Sequence, residues 1–184
     1  MDSTGKVIVL GLAALAIWYI YSDPNDLETA AQAAESDFEA ATMGWKNAGS
    51  GPTWVPILNQ AEQQYGLAQD VLAATAYQES SFIENVIRGI TPSSDGLSLG
   101  IMQLQTQYYP TLVGSSVPIP YTNQNVSDQI NEAAQIFATN YAALGNWEAT
   151  IAAYNQGLAG VQRNGITSVS YVQNIIANAP AAAA

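Results

Sequence analysis

The sequence contains no cysteine and no histidine. The absence of thiols excludes disulfides and cysteine nucleophiles, and the absence of imidazoles excludes Ser-His-Asp triads and the usual zinc sites. The side chains left for catalysis are therefore carboxylates, hydroxyls and lysine. The sequence implies no metal and no organic cofactor.

Basic residues are also scarce, with 4 Lys and Arg against 15 Asp and Glu, and the formal net charge is -11 at pH 7. Nucleic acids and anionic lipid headgroups both attract clustered basic side chains, so neither is an expected partner of this chain. We interpret the acidity as a source of solubility. The hydrophobic fraction of 48% allows a packed core in one domain with accessory segments.

The segment at residues 7–21 is hydrophobic and carries no charge. A membrane-spanning helix needs about 20 apolar residues, and small flanking residues bring this segment to marginal length. Trp18 and Tyr19 lie where interfacial aromatic residues are expected, and Lys6 before the segment favours an inside N-terminus. We predict a transmembrane anchor at residues 1–22, with the lipid membrane as a partner and the following domain outside. A cleaved signal peptide is the competing interpretation, but no small-x-small site directly follows the segment.

Residues 23–53 are predicted to form an acidic helical spacer that ends in a hinge. Asp23-Pro24 is a helix start signal, and NAGSGPT at residues 47–53 has the composition of a hinge. Apolar residues recur at heptad-like spacings at Leu27, Ala31, Ala34, Phe38, Ala41 and Trp45. This stripe within residues 27–45 predicts either self-association or a helix that packs on the domain or spaces it from the membrane. We favour the second interpretation because few of these side chains are large.

The rest of the chain is predicted to be a mainly α-helical domain at residues 54–178, followed by a flexible tail at residues 179–184. The helix expected at residues 68–80 is apolar nearly all round, which predicts a central and buried position. Residues 83–99 have loop composition, and Gly100–Gln105 is predicted to open a short helix. Ser127 and Asn146 are the expected N-caps of two later helices.

Three short motifs follow one another in this domain. Ala76–Phe82 reads AYQESSF, Gly100–Gln103 reads GIMQ, and Ala152–Gly157 reads AAYNQG. In this order and spacing they resemble the catalytic domain of the soluble lytic transglycosylase family. The resemblance covers roughly residues 54–178 and implies a lysozyme-like fold and cleavage of the glycan strands of peptidoglycan.

Glu79 ends the apolar helix and is the candidate catalytic residue. Cleavage of a glycosidic bond needs a proton for the leaving oxygen, which an ordinary ionised Glu cannot supply at neutral pH. Burial and the negative end of the helix dipole both raise the pKa of a carboxyl at this position. We therefore predict that Glu79 is the general acid and later the general base. The alternative is an ordinary surface Glu at a helix end.

The resemblance also implies seven substrate-binding or supporting residues, namely Ser80, Ser98, Gly100, Met102, Gln103, Tyr154 and Asn155. Ser80 would hold the acid, and Gly100 would let the backbone approach the sugar. Met102 and Gln103 would line the cleft, although core packing is an equal interpretation for Met102. Tyr154 would approach the acid and the substrate, and Asn155 would support the local fold. Simple alternatives are a helix cap for Ser80 and a core aromatic for Tyr154.

Other polar and aromatic residues near the motifs are weaker candidates. Tyr108, Tyr109 and Tyr121 could provide a surface on which sugars stack. A hydrolase would need a second carboxylate, for which Glu84 and Asp95 are the candidates. The chain departs from the family pattern in a longer loop at residues 83–99 and in the absence of the usual Pro and Ala after the ESxF motif.

The sequence as a whole predicts a membrane-anchored peptidoglycan lytic transglycosylase that leaves a 1,6-anhydro end on N-acetylmuramic acid. A goose-type lysozyme-like hydrolase is one alternative, and a non-catalytic wall-binding or virion structural protein is another. Local wall opening suits either a bacteriophage virion with a membrane or a bacterial inner membrane, with the domain facing the periplasm.

Overall fold

The computed structural model describes residues 44–91, 93, 96–113 and 122–183. The predicted anchor at residues 1–22 and most of the spacer lie outside these residues. Within the described ranges, no helix is both long enough and apolar enough to cross a membrane. A compact unit extends from Trp45 to Ala184.

Helices dominate this unit, as predicted, and one two-stranded hairpin is added. The helices are α1 (Gly51–Tyr65), α2 (Val71–Ser80), α3 (Glu84–Ile87), α4 (Pro110–Val113), α5 (Asn123–Leu144), α6 (Trp147–Gln156), α7 (Leu158–Asn164) and α8 (Val169–Asn178). The strands are β1 (Ser98–Leu99) and β2 (Leu104–Gln105), and short 3-10 helices form at Gly44–Asn47 and Pro180–Ala183.

Helix α2 is the buried centre of the fold, which confirms the prediction from its apolar sequence. Every residue from Val71 to Ala76 is buried. The helix packs against α1, α5 and α8. Because several elements enclose α2, its C-terminal end and Glu79 have a fixed position relative to the rest of the domain.

The N-terminus of α2 is held by a buried carboxylate rather than by a cap from its own sequence. Glu62 of α1 accepts hydrogen bonds from the backbone N–H groups of Asp70 (2.8 Å), Leu72 (2.7 Å) and Ala73 (3.2 Å). Burial raises the pKa of Glu62 to about 7, and the three N–H donors oppose this rise. Asp70 has a positive φ of 66° and forms an ion pair with Lys46 at 2.6 Å. The helix therefore begins at Val71 instead of at the predicted Ala68.

The domain begins earlier than the predicted residue 54, because Trp45 belongs to its core. Trp45 is 8% exposed, and its ring lies 5.6 Å from that of Tyr77 and 6.4 Å from that of Phe82. The Ser50 hydroxyl donates to the carbonyl of Phe82 at 3.0 Å. The predicted hinge at residues 47–53 is thus fastened to the end of the ESSF motif. Trp45, the last member of the heptad-like stripe, packs inside the domain rather than on a self-association surface.

Helices α5 and α6 pack against each other and follow the hairpin in the chain. Thr122, not the predicted Ser127, caps α5 by accepting from the Asn125 N–H at 3.1 Å. Asn146 caps α6 by accepting from the Ala149 N–H at 2.8 Å, as predicted. Phe137 of α5 stacks on Tyr154 of α6 with ring centroids 5.0 Å apart. This stack places Tyr154 between the core and the cleft described below.

Two further local predictions were wrong. Gly100–Gln105 forms the turn and second strand of a hairpin instead of a helix, with Ser98 opposite Gln105 and Leu99 opposite Leu104. Positive φ values of 87° at Gly100 and 46° at Gln103 are incompatible with a right-handed helix. The predicted flexible tail instead forms the 3-10 helix Pro180–Ala183, in which Ala182 is buried against the domain. Small apolar side chains allow this close packing.

Candidate active site

A cleft of about 650 Å³ opens between the end of α2, the hairpin, α5 and the junction of α6 with α7. It is lined by Glu79, Ser93, Ser98, Gln103, Leu104, Gln105, Tyr108, Tyr109, Ile136, Asn140, Ala153, Tyr154, Asn155, Gln156, Gly157 and Leu158. This list contains five of the eight residues predicted from the motifs: Glu79, Ser98, Gln103, Tyr154 and Asn155. Ser80, Gly100 and Met102 are not in the lining.

Glu79 lies in the last turn of α2 and is part of the lining of the cleft. Burial raises the pKa of this carboxyl to about 7. The opposing influence is the phenol of Tyr171, whose O–H donates to Glu79 Oε1 at 2.5 Å. A carboxyl group with a pKa close to neutrality can hold a proton and release it, which general acid catalysis requires.

Sequence reasoning missed Tyr171. It is in α8, and α8 reaches Glu79 only because it packs along α2. Burial and the charge of Glu79 raise the pKa of Tyr171 well above the ordinary value of 10.0, so the phenol stays protonated and acts as a donor. The sequence offered one signal, which is a tyrosine within an apolar helix. A buried phenol usually has a hydrogen-bond partner, so Tyr171 could have been expected to bind a polar group elsewhere in the domain.

Ser80 adopts the helix-end role that was its simpler interpretation. Its hydroxyl donates to the carbonyl of Ala76 at 2.7 Å and accepts from the N–H of Phe82 at 3.2 Å. The side chain is buried and makes no contact with the cleft. Ser80 therefore shapes the turn that follows Glu79 instead of binding substrate.

Gly100 lies against a protein side chain and is not in the lining of the cleft. A Cβ at this position would lie 2.0 Å from Oε1 of Gln129, a buried side chain of α5. The same oxygen accepts from the N–H of Ile101 at 3.2 Å. Gln129 thus holds the GIMQ turn against α5, and the absence of a side chain at Gly100 permits this contact.

Met102 packs in the core, whereas Gln103 lines the cleft. The Met102 side chain is 0% exposed and packs in the core, so it does not line the cleft. Its carbonyl accepts a hydrogen bond from the Tyr154 hydroxyl at 2.7 Å. Gln103 lines the cleft, and its Nε2 donates to the carbonyl of Gly100 at 2.8 Å.

Tyr154 lines the cleft but does not hydrogen-bond to Glu79, because its hydroxyl is engaged by Met102. Burial, followed by the charge of Glu79, raises the pKa of Tyr154 well above 10.0. Tyr154 therefore couples α6 to the GIMQ turn and contributes one face to the cleft. The adjacent Asn155 is exposed on the cleft rim.

The role of Gln156, which is part of the AAYNQG motif, was also missed by sequence reasoning. Its Oε1 accepts from the N–H and hydroxyl groups of both Thr167 and Ser168, at distances from 2.9 to 3.1 Å. Its Nε2 donates to the carbonyl of Gly165 at 2.8 Å. These bonds fix the segment that leads into α8 and so locate Tyr171 relative to Glu79.

Glu79 is the only carboxylate in the lining of the cleft among the described residues. Glu84 is exposed at the start of α3 and outside the lining, and Asp95 and Tyr121 lie outside the described residues. Glu132 of α5 is close enough for its charge to raise the pKa of Tyr109, but it is not in the lining either. Tyr108 and Tyr109 both line the cleft, as suggested for sugar stacking.

The domain is mainly helical, and its cleft holds one carboxyl group of raised pKa. The family described as Transglycosylase SLT domain matches residues 56–173. Because the match covers more than half of the chain, the chain belongs to this family, which indicates transglycosylase activity on peptidoglycan. The comparisons with curated proteins and with solved structures found no match.

Proposed function

We propose that this protein is a lytic transglycosylase that cleaves the β-1,4 bond between N-acetylmuramic acid and N-acetylglucosamine. The observation that carries the proposal is the carboxyl of Glu79, with a pKa of about 7, held by Tyr171 in an open cleft. Near neutral pH a large fraction of this carboxyl is protonated and ready to donate.

In the proposed reaction, Glu79 donates its proton to the glycosidic oxygen while the bond from that oxygen to C1 of the muramic sugar breaks. An oxocarbenium-like centre develops at C1 and is stabilised by the sugar's own N-acetyl group. The 6-hydroxyl of the same sugar attacks C1, and its proton passes to the Glu79 carboxylate. The product is a 1,6-anhydro ring, the acid is regenerated, and no water is consumed.

The neighbouring residues support this chemistry by fixing positions. The phenol of Tyr171 donates to Oε1 of Glu79, which orients the carboxyl and stabilises its ionised form between the two proton transfers. The hydrogen bond from Tyr154 to Met102 and the Gln103 side chain fix the opposite side of the cleft. Substrate positioning of this kind accounts for a large share of catalysis.

A goose-type hydrolase is the main alternative. An inverting hydrolase places a second carboxylate about 6.5–9.5 Å from the acid to activate water, and a retaining one places it about 5–5.5 Å away. Within the described residues, the cleft lining offers no second carboxylate. The transglycosylase reaction needs none, because the nucleophile belongs to the substrate.

We further propose that residues 1–22 anchor the protein in a membrane with the domain outside, either in a virion or in a bacterial inner membrane. The support is the uncharged segment at residues 7–21 with Trp18 and Tyr19 near its end. Such an enzyme would open the wall locally, near the membrane that carries it. Retention of the full chain in the membrane fraction after alkaline extraction is the expected result, and release into the supernatant would contradict the anchor.

Activity is tested by incubating the full chain with purified peptidoglycan and measuring the release of soluble muropeptides. Replacing the general acid in Glu79→Gln should lower the rate by about a hundredfold or more. Glu84→Gln is the matched control, because it removes an exposed carboxylate of the same type outside the cleft. An unimpaired Glu79→Gln enzyme would contradict the proposal. Binding of peptidoglycan without any cleavage would favour the wall-binding alternative.

A further inference from the structure

Helix α5 presents a buried amide to the cleft. Ile136 and Asn140 are four residues apart, so they share one face of the helix, and both line the cleft. The Asn140 residue is only 5% exposed. Its position is therefore deep in the cleft wall rather than at the rim, where Asn155 lies.

Among the residues that the structure describes, Asn140 differs from the other buried polar residues because its side chain has no hydrogen-bond partner there. Glu62, Asp70, Thr75, Ser80, Gln129 and Thr150 are the others, and each makes at least one side-chain hydrogen bond. The Asn140 carboxamide makes no hydrogen bond with any residue that the structure describes. Its oxygen and nitrogen atoms are nevertheless not sealed from solvent. The amide is therefore buried at the sides and open toward the cleft.

In the free protein, water in the cleft can hydrogen-bond to this amide. A carboxamide has two N–H donors and one carbonyl acceptor, so a ligand that displaces this water without replacing its hydrogen bonds loses affinity. A leucine or another apolar residue would fill the same wall without this requirement. An unpartnered amide that faces a cleft is therefore a group that is kept for recognition.

The surroundings restrict which ligand group fits. The described lining of the cleft contains no Lys or Arg, so a carboxylate or a phosphate would find no opposite charge there. The aliphatic side chains of Ile136, Ala153 and Leu158 belong to the same lining. A neutral group that combines an amide with a methyl group can satisfy both the carboxamide and these apolar contacts. The acetamido group of an N-acetylated sugar has this composition.

We propose that Asn140 is a specificity-determining residue that hydrogen-bonds to the acetamido group of a sugar in the glycan strand. This inference rests on the proposed function, because it assumes that a glycan occupies the cleft. If Asn140 has this role, the affinity of the cleft for a glycan depends on N-acetylation of the sugar, whether or not Glu79 transfers a proton. A sugar with a hydroxyl in place of the acetamido group loses the hydrogen bonds and the methyl contact together.

The test measures equilibrium binding in the full-length Glu79→Gln protein, so that no cleavage interferes. The probes are the hexamer of N-acetylglucosamine and cellohexaose, which is neutral and has hydroxyls where the first has acetamido groups. Asn140→Leu should weaken binding of the N-acetylated hexamer about tenfold or more, the effect of losing one or two hydrogen bonds. Its affinity for cellohexaose should change less than about twofold, so the preference for N-acetylated sugar narrows.

The control is Asn131→Leu, which makes the same substitution at an exposed position of α5. Asn140→Leu should not lower the melting temperature, because the amide makes no hydrogen bond with the described residues, whereas a structural role would lower it. If leucine distorts the wall, Asn140→Ala provides the same comparison without added bulk. Equal affinities of the Asn140 and Asn131 variants for the N-acetylated hexamer would overturn the inference and leave the proposed function intact. Failure of the parent protein to bind or cleave any glycan would overturn both.

Discussion

The hydrogen bond from Tyr171 to Glu79 gives a quantitative prediction for Tyr171→Phe. The substitution removes one hydroxyl and keeps the ring, so the packing of α8 on α2 is preserved. A hydrogen bond to a charged group contributes about 1.5–3 kcal/mol, and one pKa unit corresponds to about 1.4 kcal/mol. Because the phenol stabilises the ionised form, its loss should raise the pKa of Glu79 by roughly 1–2 units.

The sign of the effect on activity follows from the role of Glu79. A general acid acts in its protonated form, so the rate falls as pH rises through the pKa of the acid, which is about 7 in the unchanged protein. In Tyr171→Phe the descending limb should move to higher pH by the same 1–2 units, roughly. The maximal rate should also fall, because the carboxyl is no longer oriented by the phenol.

The assay is the release of soluble muropeptides from peptidoglycan as a function of pH, combined with a direct titration of the Glu79 carboxyl carbon by NMR. Tyr65→Phe is a suitable control, because Tyr65 ends α1 outside the cleft. The position of the descending limb is the decisive readout, since loss of structure alone would lower the rate without moving it. An unmoved limb, or one that moves to lower pH, would show that the Tyr171 phenol does not stabilise the ionised carboxylate of Glu79.

Three further predictions concern stability and positioning. Glu79→Gln should stabilise the fold at about pH 8 by up to about 3 kcal/mol and have no effect at about pH 4. The reason is that the pKa of Glu79 is about 7 in the folded protein and 4.5 in the unfolded chain, so ionisation of the buried carboxyl lowers the stability as pH rises between these values. Equal urea midpoints of the variant and the unchanged protein at both pH values would contradict this. Gly100→Ala should cost about 2 kcal/mol or more, because its Cβ meets Gln129 at 2.0 Å, whereas Gly66→Ala, also at positive φ but in open space, should cost about 1 kcal/mol; similar costs would refute the steric argument. Gln156→Ala should lower kcat about tenfold or more and speed amide hydrogen exchange at residues 165–171; unchanged exchange would show that Gln156 does not hold this segment.

The features that the sequence predicted well are those with local causes. The apolar composition of α2 is enough to place it in the core. The partly buried position of Glu79 follows, because this residue lies in the last turn of the same helix. The Asn146 cap and the stop at Gly145 depend on side chains and backbone within a few residues. Order and spacing of the motifs predicted the family, which the match to residues 56–173 confirms.

The features that were missed depend on contacts between distant parts of the chain. Tyr171 meets Glu79 across 92 residues, and no periodicity relates two helices that pack side by side. The predicted role of Gly100 considered only a sugar, whereas a Cβ at this position would also meet Gln129 on another helix. Trp45 was included in the spacer because its spacing fits the stripe, yet its ring packs on Tyr77 and Phe82. In each case the deciding contact is tertiary, and local sequence does not predict it.

In the proposed mechanism, Glu79 catalyses attack by the sugar's own hydroxyl and not by water. Mass spectrometry of muropeptides that the full chain produces in water labelled with oxygen-18 distinguishes the two nucleophiles. We expect ends that are lighter than hydrolytic ends by one water, carry no label, and disappear in Glu79→Gln. Reducing ends that carry one labelled oxygen would contradict this mechanism and would identify the enzyme as a hydrolase.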